Sequence, residues 1–526
     1  MQGIEKCLDV QLPLVDKEAL VAYTKDHPQW VHFGGGNLFR AFHAEIAQEL
    51  VDKKEMQSGV IVCETFDEQV IEKAYQPYNN NILEVIMHED GKLEKKMLNA
   101  VAESYYCHPS DEVSYQAVQT IFEQPSLQMV TVTITEKGYA LANSQGELSP
   151  LVKSDIQKGP NQGVHTMSIL ASLLFHRFNH GAHPIAMIST DNFSRNGQRF
   201  QESILQIAKG WVENGFADAA FIDYLEDTEK VTFPWSMIDR ITPNPSQVVA
   251  DKLTAEGITG LSLIHTDKGT NIAPFANTEA THYLVIEDSF PNGRPALDAA
   301  GVILTTREIV DKTDAMKVTT CLNPLHTAMS IFGCLLDYQS IAEEMKDEDI
   351  VQLIKGVGYV EGLPVVEDPE IIQPKVFIDE VITKRLPNPM IPDMPQRIAA
   401  DTSQKVAIRF GETIKKYLEK GQSKELIYLP LSIAGWLRYL LGVNDQGEVA
   451  QLSPDPLLEE LQENLSAVRL GFIGDVAPIL QPILSNRAIF GVDLYEAGLG
   501  EKIEGYFKEM IEKEGAVRKV LHETVQ

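Results

Sequence analysis

A lysine, an asparagine and a histidine stand close together in the stretch Asp314-Ala-Met-Lys317-Val-Thr-Thr-Cys-Leu-Asn323-Pro-Leu-His326. Hydride transfer to or from a carbinol carbon needs a group that exchanges the hydroxyl proton and neutral donors that steady the developing alkoxide. Lys317 serves as that base where desolvation lowers its pKa, and the Asn323 amide can hold the oxygen. His326 follows Asn323 by three residues, close to one helical turn, which places the two on one face. Asn323-Pro324 also fits the N-cap and N1 positions of a helix, a use that would tie up the amide. Met316, Cys321, Leu325 and Met329 read as core packing.

Three further segments carry polar groups suited to a substrate. Ser189-Thr-Asp191-Asn192-Phe-Ser-Arg-Asn196-Gly197 follows a buried-looking strand, and parallel sheets bind ligands at the C-terminal ends of their strands. Asn192 is thus placed as a second oxyanion donor, or else it opens an Asx turn. Phe233–Pro243 offers Asp239 and Arg240, either as site groups or as a buried structural ion pair. Lys384-Arg385-Leu-Pro-Asn388-Pro sets cationic and amide groups in a loop restricted by two prolines. An arginine gripping a carboxylate at two points is what an acidic sugar requires; a plain solvated arginine is the alternative.

These groups need a cofactor and a scaffold. The β-prone run Val31–Phe33 leads into Gly34-Gly35-Gly36-Asn37-Leu38-Phe39-Arg40 and then an amphipathic helix to about Val51. Strand, glycine turn and helix in that order let backbone amides and a helix N-terminus face a pyrophosphate. Phe39 replaces the third glycine of the dinucleotide fingerprint, so an ordinary tight turn competes. The next strand ends in Glu64 and Asp67, either of which can accept from ribose hydroxyls or cap a helix. No arginine closely follows Glu64 to meet a 2′-phosphate, which favours NAD over NADP. Gly36 and Glu64 lie further apart than the usual ~20 residues, so the first helix or its loop is long.

Up to about residue 295, β-rich runs such as Gly59–Thr65, Met129–Thr135 and Pro184–Ser189 alternate with helical patterns. This predicts an α/β fold with a Rossmann-like, doubly wound domain over residues 1–295, of which 1–28 are a polar lead-in without assignment. Beyond it Thr327–Tyr338, Thr402–Leu418, Leu429–Leu441 and Glu501–Glu514 have helical spacing, and a mostly α-helical domain is expected over 296–526. The Gly- and Pro-dense stretch Asp288–Gly301 is the expected junction.

The 526 residues allow two to four domains at roughly 150 residues each. A net charge of −30 repels phosphate backbones and anionic lipids, so neither nucleic acid nor membrane is an expected partner. Five scattered cysteines without a C-x-x-C pair, and histidines read as unpaired at zinc-ligand spacing, argue against a disulfide framework or structural zinc. No metal and a cytoplasmic location are expected.

Taken together, VHFGGGNLFRAFH (31–43), TITEKGY (133–139), STDNFSRNG (189–197), SMIDRITP (236–243), YLVIEDSFPNGRP (283–295), MKVTTCLNPLHTA (316–328) and RLPNP (385–389) resemble the polyol-specific long-chain dehydrogenase/reductase, or mannitol dehydrogenase, family. The resemblance implies NAD bound by the N-terminal domain at Phe33, Gly34, Gly35, Gly36, Asn37, Leu38, Glu64 or Asp67, and Thr135. It implies Lys317 as general acid/base without zinc, Asn192 and Asn323 as oxyanion donors and His326 as a substrate-positioning group. Asp239, Arg385 and Asn388 would bind substrate, and Asp314 would sit on the lysine's proton path. The NPLHT and RLPNP segments are most similar to the fructuronate reductase branch, ahead of the tagaturonate reductase and mannitol 2-dehydrogenase branches. A sugar-acid or polyol substrate and a monomer or homodimer follow. Family members place four residues between lysine and asparagine, whereas Lys317 and Asn323 enclose five; a π-bulge or non-helical backbone before Pro324 would absorb the extra one. A redox sensor without activity, or a sugar-acid epimerase or lyase using the same lysine, are the competing classes.

Overall fold

The β-branched runs of the first half pair as one parallel sheet: β1 (Trp30–Phe33), β2 (Val60–Glu64), β3 (Val101–Tyr106), β4 (Met129–Val132), β5 (Ile185–Ser189) and β6 (Val231–Thr232). Their spatial order, β3-β2-β1-β4-β5-β6, is that of a dinucleotide-binding sheet, reversing direction between β1 and β4. Alternate residues feed opposite cores: Val60 and Val62 join one apolar cluster, Ile61 and Cys63 the other. A strand buried on both faces has to be apolar throughout, which is why these runs do not alternate with polar residues. Helix α1 (Ala44–Asp52) packs into the first core, and α3 (Glu112–Glu123), α4 (Thr166–Asn179) and α5 (Asn196–Glu213) into the second; α2 (Glu68–Ala74) follows β2.

The structure is a computed structural model describing residues 1, 3, 4, 9–143 and 145–526. Cys7 lies outside the described residues; Cys63, Cys107, Cys321 and Cys334 are buried free thiols. The chain forms two units, residues 1–88 with 92–311 and residues 89–91 with 312–526. The division therefore falls after Asp311 rather than at residue 295. Leu297 is buried in the first unit's core, and Ile303–Thr305 pairs in parallel with Tyr283–Glu287, so Asp288–Gly301 is an internal turn of that unit. The lead-in also has structure: Val10–Gln11 pairs with Lys95–Lys96, and the helix Lys17–Asp26 is capped by the Asp16 carboxylate.

The second unit is helical. After α6 (Arg307–Met316), in which the division falls, come α7 (Asn323–Leu335) and further helices including Tyr428–Tyr439 and Gly500–Met510. The helix expected over 402–418 is interrupted by a π turn at Ala407–Gly411. Other π turns occupy Lys317–Cys321, Gly356–Gly362 and Val381–Arg385. Among the described residues no helix is long and apolar enough to cross a membrane.

Candidate active site

The glycine turn sits where the sheet reverses. Gly34 has φ of 103°, and a Cβ there would lie 1.9 Å from the Thr133 carbonyl oxygen, so only glycine lets the ends of β1 and β4 come this close. Gly36 faces nothing within 4 Å and borders a cavity of about 620 Å³ in the first unit. Gly34, Glu64, Asp67, Thr135, His165 and Thr166 also line it. Thr135, a non-glycine residue at φ 65°, belongs to the same rim.

The rest of the expected cofactor set lies around this rim. Phe33 is fully buried in the core beneath it, and the Gly35 amide donates to Glu64 Oε2 at 3.0 Å. Asn37 donates through Nδ2 to the Asn271 carbonyl at 3.0 Å; Leu38 packs partly buried against the core. Phe39, in the third-glycine position, is buried and stacks on His32 at 4.3 Å. It opens a π turn, Phe39–His43, before α1.

Both acids are engaged within the fold. Glu64 accepts from the amides of Gly35, Thr65 and Phe66, and burial nevertheless raises its pKa. Asp67 caps α2 through Oδ1, while its Oδ2 accepts the hydroxyls of Thr266 and Thr270 at 2.6 Å each.

Two residues not singled out for a role hold the rim. Asp191 accepts from the amides of Ile134 and Thr135 at 2.9 and 2.8 Å and from the Tyr139 hydroxyl at 2.7 Å. It thereby fixes the strained backbone at Thr135. Asn196, fully buried, donates to the Asp191 and Ser236 carbonyls and accepts from the Ser236 amide, tying the 189–197 turn to Ser236–Asp239. Asn192 stands exposed in that turn and Asp239 is buried at the strand end. Arg240 does not pair with Asp239; its carboxylate partners are Glu45 and Glu84.

In the second unit the extra residue between Lys317 and Asn323 is absorbed by the π turn Lys317–Cys321. The Leu322 amide donates to the Lys317 carbonyl, five residues back, at 3.1 Å. Pro324 has no N–H for the Thr320 carbonyl four residues before it; the preceding carbonyl, of Thr319, accepts the Thr413 hydroxyl at 3.3 Å. Gly362 approaches so closely that a Cβ would lie 2.7 Å from Thr320 Cγ2. Lys317 itself is buried, with Nζ 3.5 Å from Asp314 Oδ1.

Leu322, not Asn323, occupies the N-cap of α7. The Asn323 side chain makes no hydrogen bond among the described residues, so the capping use is not realised. His326, on the next turn, has Nε2 3.5 Å from Asp393 Oδ2. Burial lowers its pKa to about 4, with the Arg409, Arg385 and Arg397 charges acting in the same direction and Asp393 opposing them. The ring is neutral at pH 7.

Arg385 ends the π turn Val381–Arg385 and is only 4% exposed, rather than standing solvated in a loop. Asn388 is buried and accepts the Met390 amide at 3.0 Å. Arg409, which no motif pointed to, lies on the π turn Ala407–Gly411 and donates to the Thr327 hydroxyl at 2.7 Å. The expectation of no metal ligands also overlooked a spacing: His176 and His180, four residues apart, converge with Glu123.

The comparisons agree with this division. Residues 28–299 match the family model described as the mannitol dehydrogenase Rossmann domain, and residues 310–511 that described as the mannitol dehydrogenase C-terminal domain. D-mannonate oxidoreductase of Thermotoga maritima is 50% identical over 522 residues, spanning 98% of this chain and 96% of its own. D-mannonate oxidoreductase of Escherichia coli is 27% identical over 88% of this chain and 89% of its own. Among solved structures, a substrate-free D-sorbitol dehydrogenase superposes with a TM-score of 0.81 at 24% identity over 98% of both chains. Pseudomonas fluorescens mannitol 2-dehydrogenase, in a ternary complex with NAD and D-mannitol, gives 0.71 at 23% identity over 99% of this chain and 98% of that one.

Proposed function

This chain belongs to the mannitol dehydrogenase family, and on that premise we propose that it is an NAD-dependent oxidoreductase interconverting D-fructuronate and D-mannonate. The substrate rests on 50% identity to a D-mannonate oxidoreductase over nearly the whole chain. The chemistry rests on the π turn that presents Lys317 beside Asp314, with the unspent Asn323 amide and a neutral His326 following it.

The cavity beside Gly36 fits the cofactor, because its floor is bare backbone that a side chain would fill. The Gly36 amide and the helix start at Asn37 would hold the pyrophosphate, since the Gly34 and Gly35 amides already donate to Cys63 and Glu64; Glu64 or Asp67 would hold the adenosine ribose, and Thr135 the rim. NADH, when bound, supplies the hydride. Lys317 gives its proton to the ketone oxygen during reduction and takes one in the reverse direction, with Asp314 on the proton path. Asn323 donates to the developing alkoxide. His326 and Asn388 orient hydroxyls, and Arg385 meets the sugar carboxylate. Lysine does the work that a zinc ion does in other alcohol dehydrogenases. We take the protein to be a monomer or homodimer working in the cytoplasm.

The test is NADH oxidation by purified protein, without added metal, against D-fructuronate, D-tagaturonate and D-fructose. Preference for fructuronate is expected. Preference for tagaturonate or fructose would move the chain to another branch, fructose also removing the carboxylate role of Arg385, and silence with all three would overturn the assignment.

A further inference from the structure

We propose that Glu123, His176 and His180 form a binding site for a divalent transition-metal ion of the zinc class, which ties the C-terminal end of α3 to that of α4. His176 Nε2 and His180 Nε2 lie 2.8 and 3.9 Å from the same oxygen, Oε1 of Glu123, and all three donor atoms fall within 4.8 Å of one another. Ligands about 2.0–2.1 Å from a tetrahedral zinc stand about 3.3 Å apart, so small side-chain shifts close the set around one ion.

Two features point to metal rather than to a surface ion pair alone. His180 Nδ1 lies 2.8 Å from the His176 carbonyl oxygen; donation there leaves the Nε2 lone pair free for a metal, the arrangement by which backbone carbonyls orient ligating histidines. Arg177 donates to the carbonyls of Phe122 at 2.6 Å and Gln124 at 3.0 Å. It thus clamps the backbone on both sides of Glu123 and fixes that carboxylate against α4. The C-terminal end of α4 also carries the negative pole of its helix dipole, which favours a cation. Two imidazoles and one carboxylate select zinc, cobalt or nickel over calcium or magnesium. His180 is 46% exposed, which leaves a coordination position to water.

The ion would not join the redox chemistry. Thr166, at the other end of α4, lines the cofactor cavity, and His176 is ten residues further along, about 15 Å along the helix axis. Its role is structural: it bridges two helices that cover one face of the parallel sheet.

Tag-free full-length protein, stripped with a chelator, would be titrated with Zn2+ by calorimetry and with Co2+ by visible absorption, beside His180→Ala and Glu123→Gln. The expected result is one equivalent bound, a cobalt d–d band of tetrahedral or five-coordinate character and a rise in Tm with zinc. Both variants should weaken binding by about tenfold or more and lose the rise in Tm. No saturable binding, or equal binding by the parent and both variants, would overturn the proposal.

Discussion

Replacing Lys317 with methionine keeps the length of the side chain and removes its proton. General acid–base catalysis contributes roughly 10²–10⁴ in rate, which at 1.36 kcal/mol per factor of ten is about 3–5 kcal/mol of barrier. The same change takes from the buried Asp314 a cation 3.5 Å away, which lowers stability as well as rate. Lost turnover could therefore be lost protein. The double variant Lys317→Met/Asp314→Asn separates the two effects: it removes the carboxylate charge along with the ammonium and should recover part of the urea midpoint while turnover stays low. NADH affinity, read by fluorescence titration, should be unchanged in both, since the residues lining the cavity beside Gly36 all belong to the first unit. NADH oxidation is followed by absorbance with D-fructuronate. Turnover by the folded double variant within tenfold of the parent would remove Lys317 from the acid/base role.

The glycine turn makes a paired prediction. Gly34→Ala drives a methyl into the Thr133 carbonyl and should lower Tm and abolish NADH binding, whereas Gly36→Ala meets no atom within 4 Å and should melt normally while losing NADH affinity as its methyl enters the cavity. Asp191→Ala frees the Ile134 and Thr135 amides and leaves the Tyr139 hydroxyl with Ser189 alone; NADH titration should show weakened binding even where urea melts show a folded protein. His326 has a folded-state pKa of about 4 against 6.5 when unfolded, so the unfolded chain binds the proton more tightly. Its contribution is present above pH 6.5 and is lost as pH falls towards 4, on the order of 3 kcal/mol in all. Urea melts from pH 7 to 5 should therefore fall less steeply for His326→Gln, and an unchanged slope would place the loss on the buried His32 and His43, whose pKa values burial also lowers.

Spacing made the first-unit scaffold and part of the site legible. Apolar β-branched runs mark strands buried on both faces, and a glycine turn between strand and helix marks the sheet reversal. What spacing could not supply is the choice among like residues. Glu64 ends β2 and Asp67 stands three positions on, and only their partners, backbone amides for one and threonine hydroxyls from residues 266 and 270 for the other, tell them apart. Spacing assigned Asp191 and Asn196 no role because their partners lie as far as 57 residues away along the chain. His176 and His180 stand four residues apart, a spacing the sequence reading passed over, and Glu123 joins them only through the packing of α3 against α4.

The π turns show where periodicity stops informing. At Lys317–Cys321 the surplus residue was visible because Pro324 and the family spacing bracket it, and the wide turn follows. Over 402–418 nothing brackets the wide turn, since one added residue leaves enough apolar positions on the buried side for helical spacing to survive. The consequence is nonetheless local and specific. Each residue of an α-helix turns the chain by about 100°, so removing the extra residue at Ala407–Gly411 would swing Arg409 away from Thr327 on the helix that carries His326. The wide turn is therefore what sets the charge of Arg409 against His326, adding to the burial that chiefly lowers the pKa of that ring.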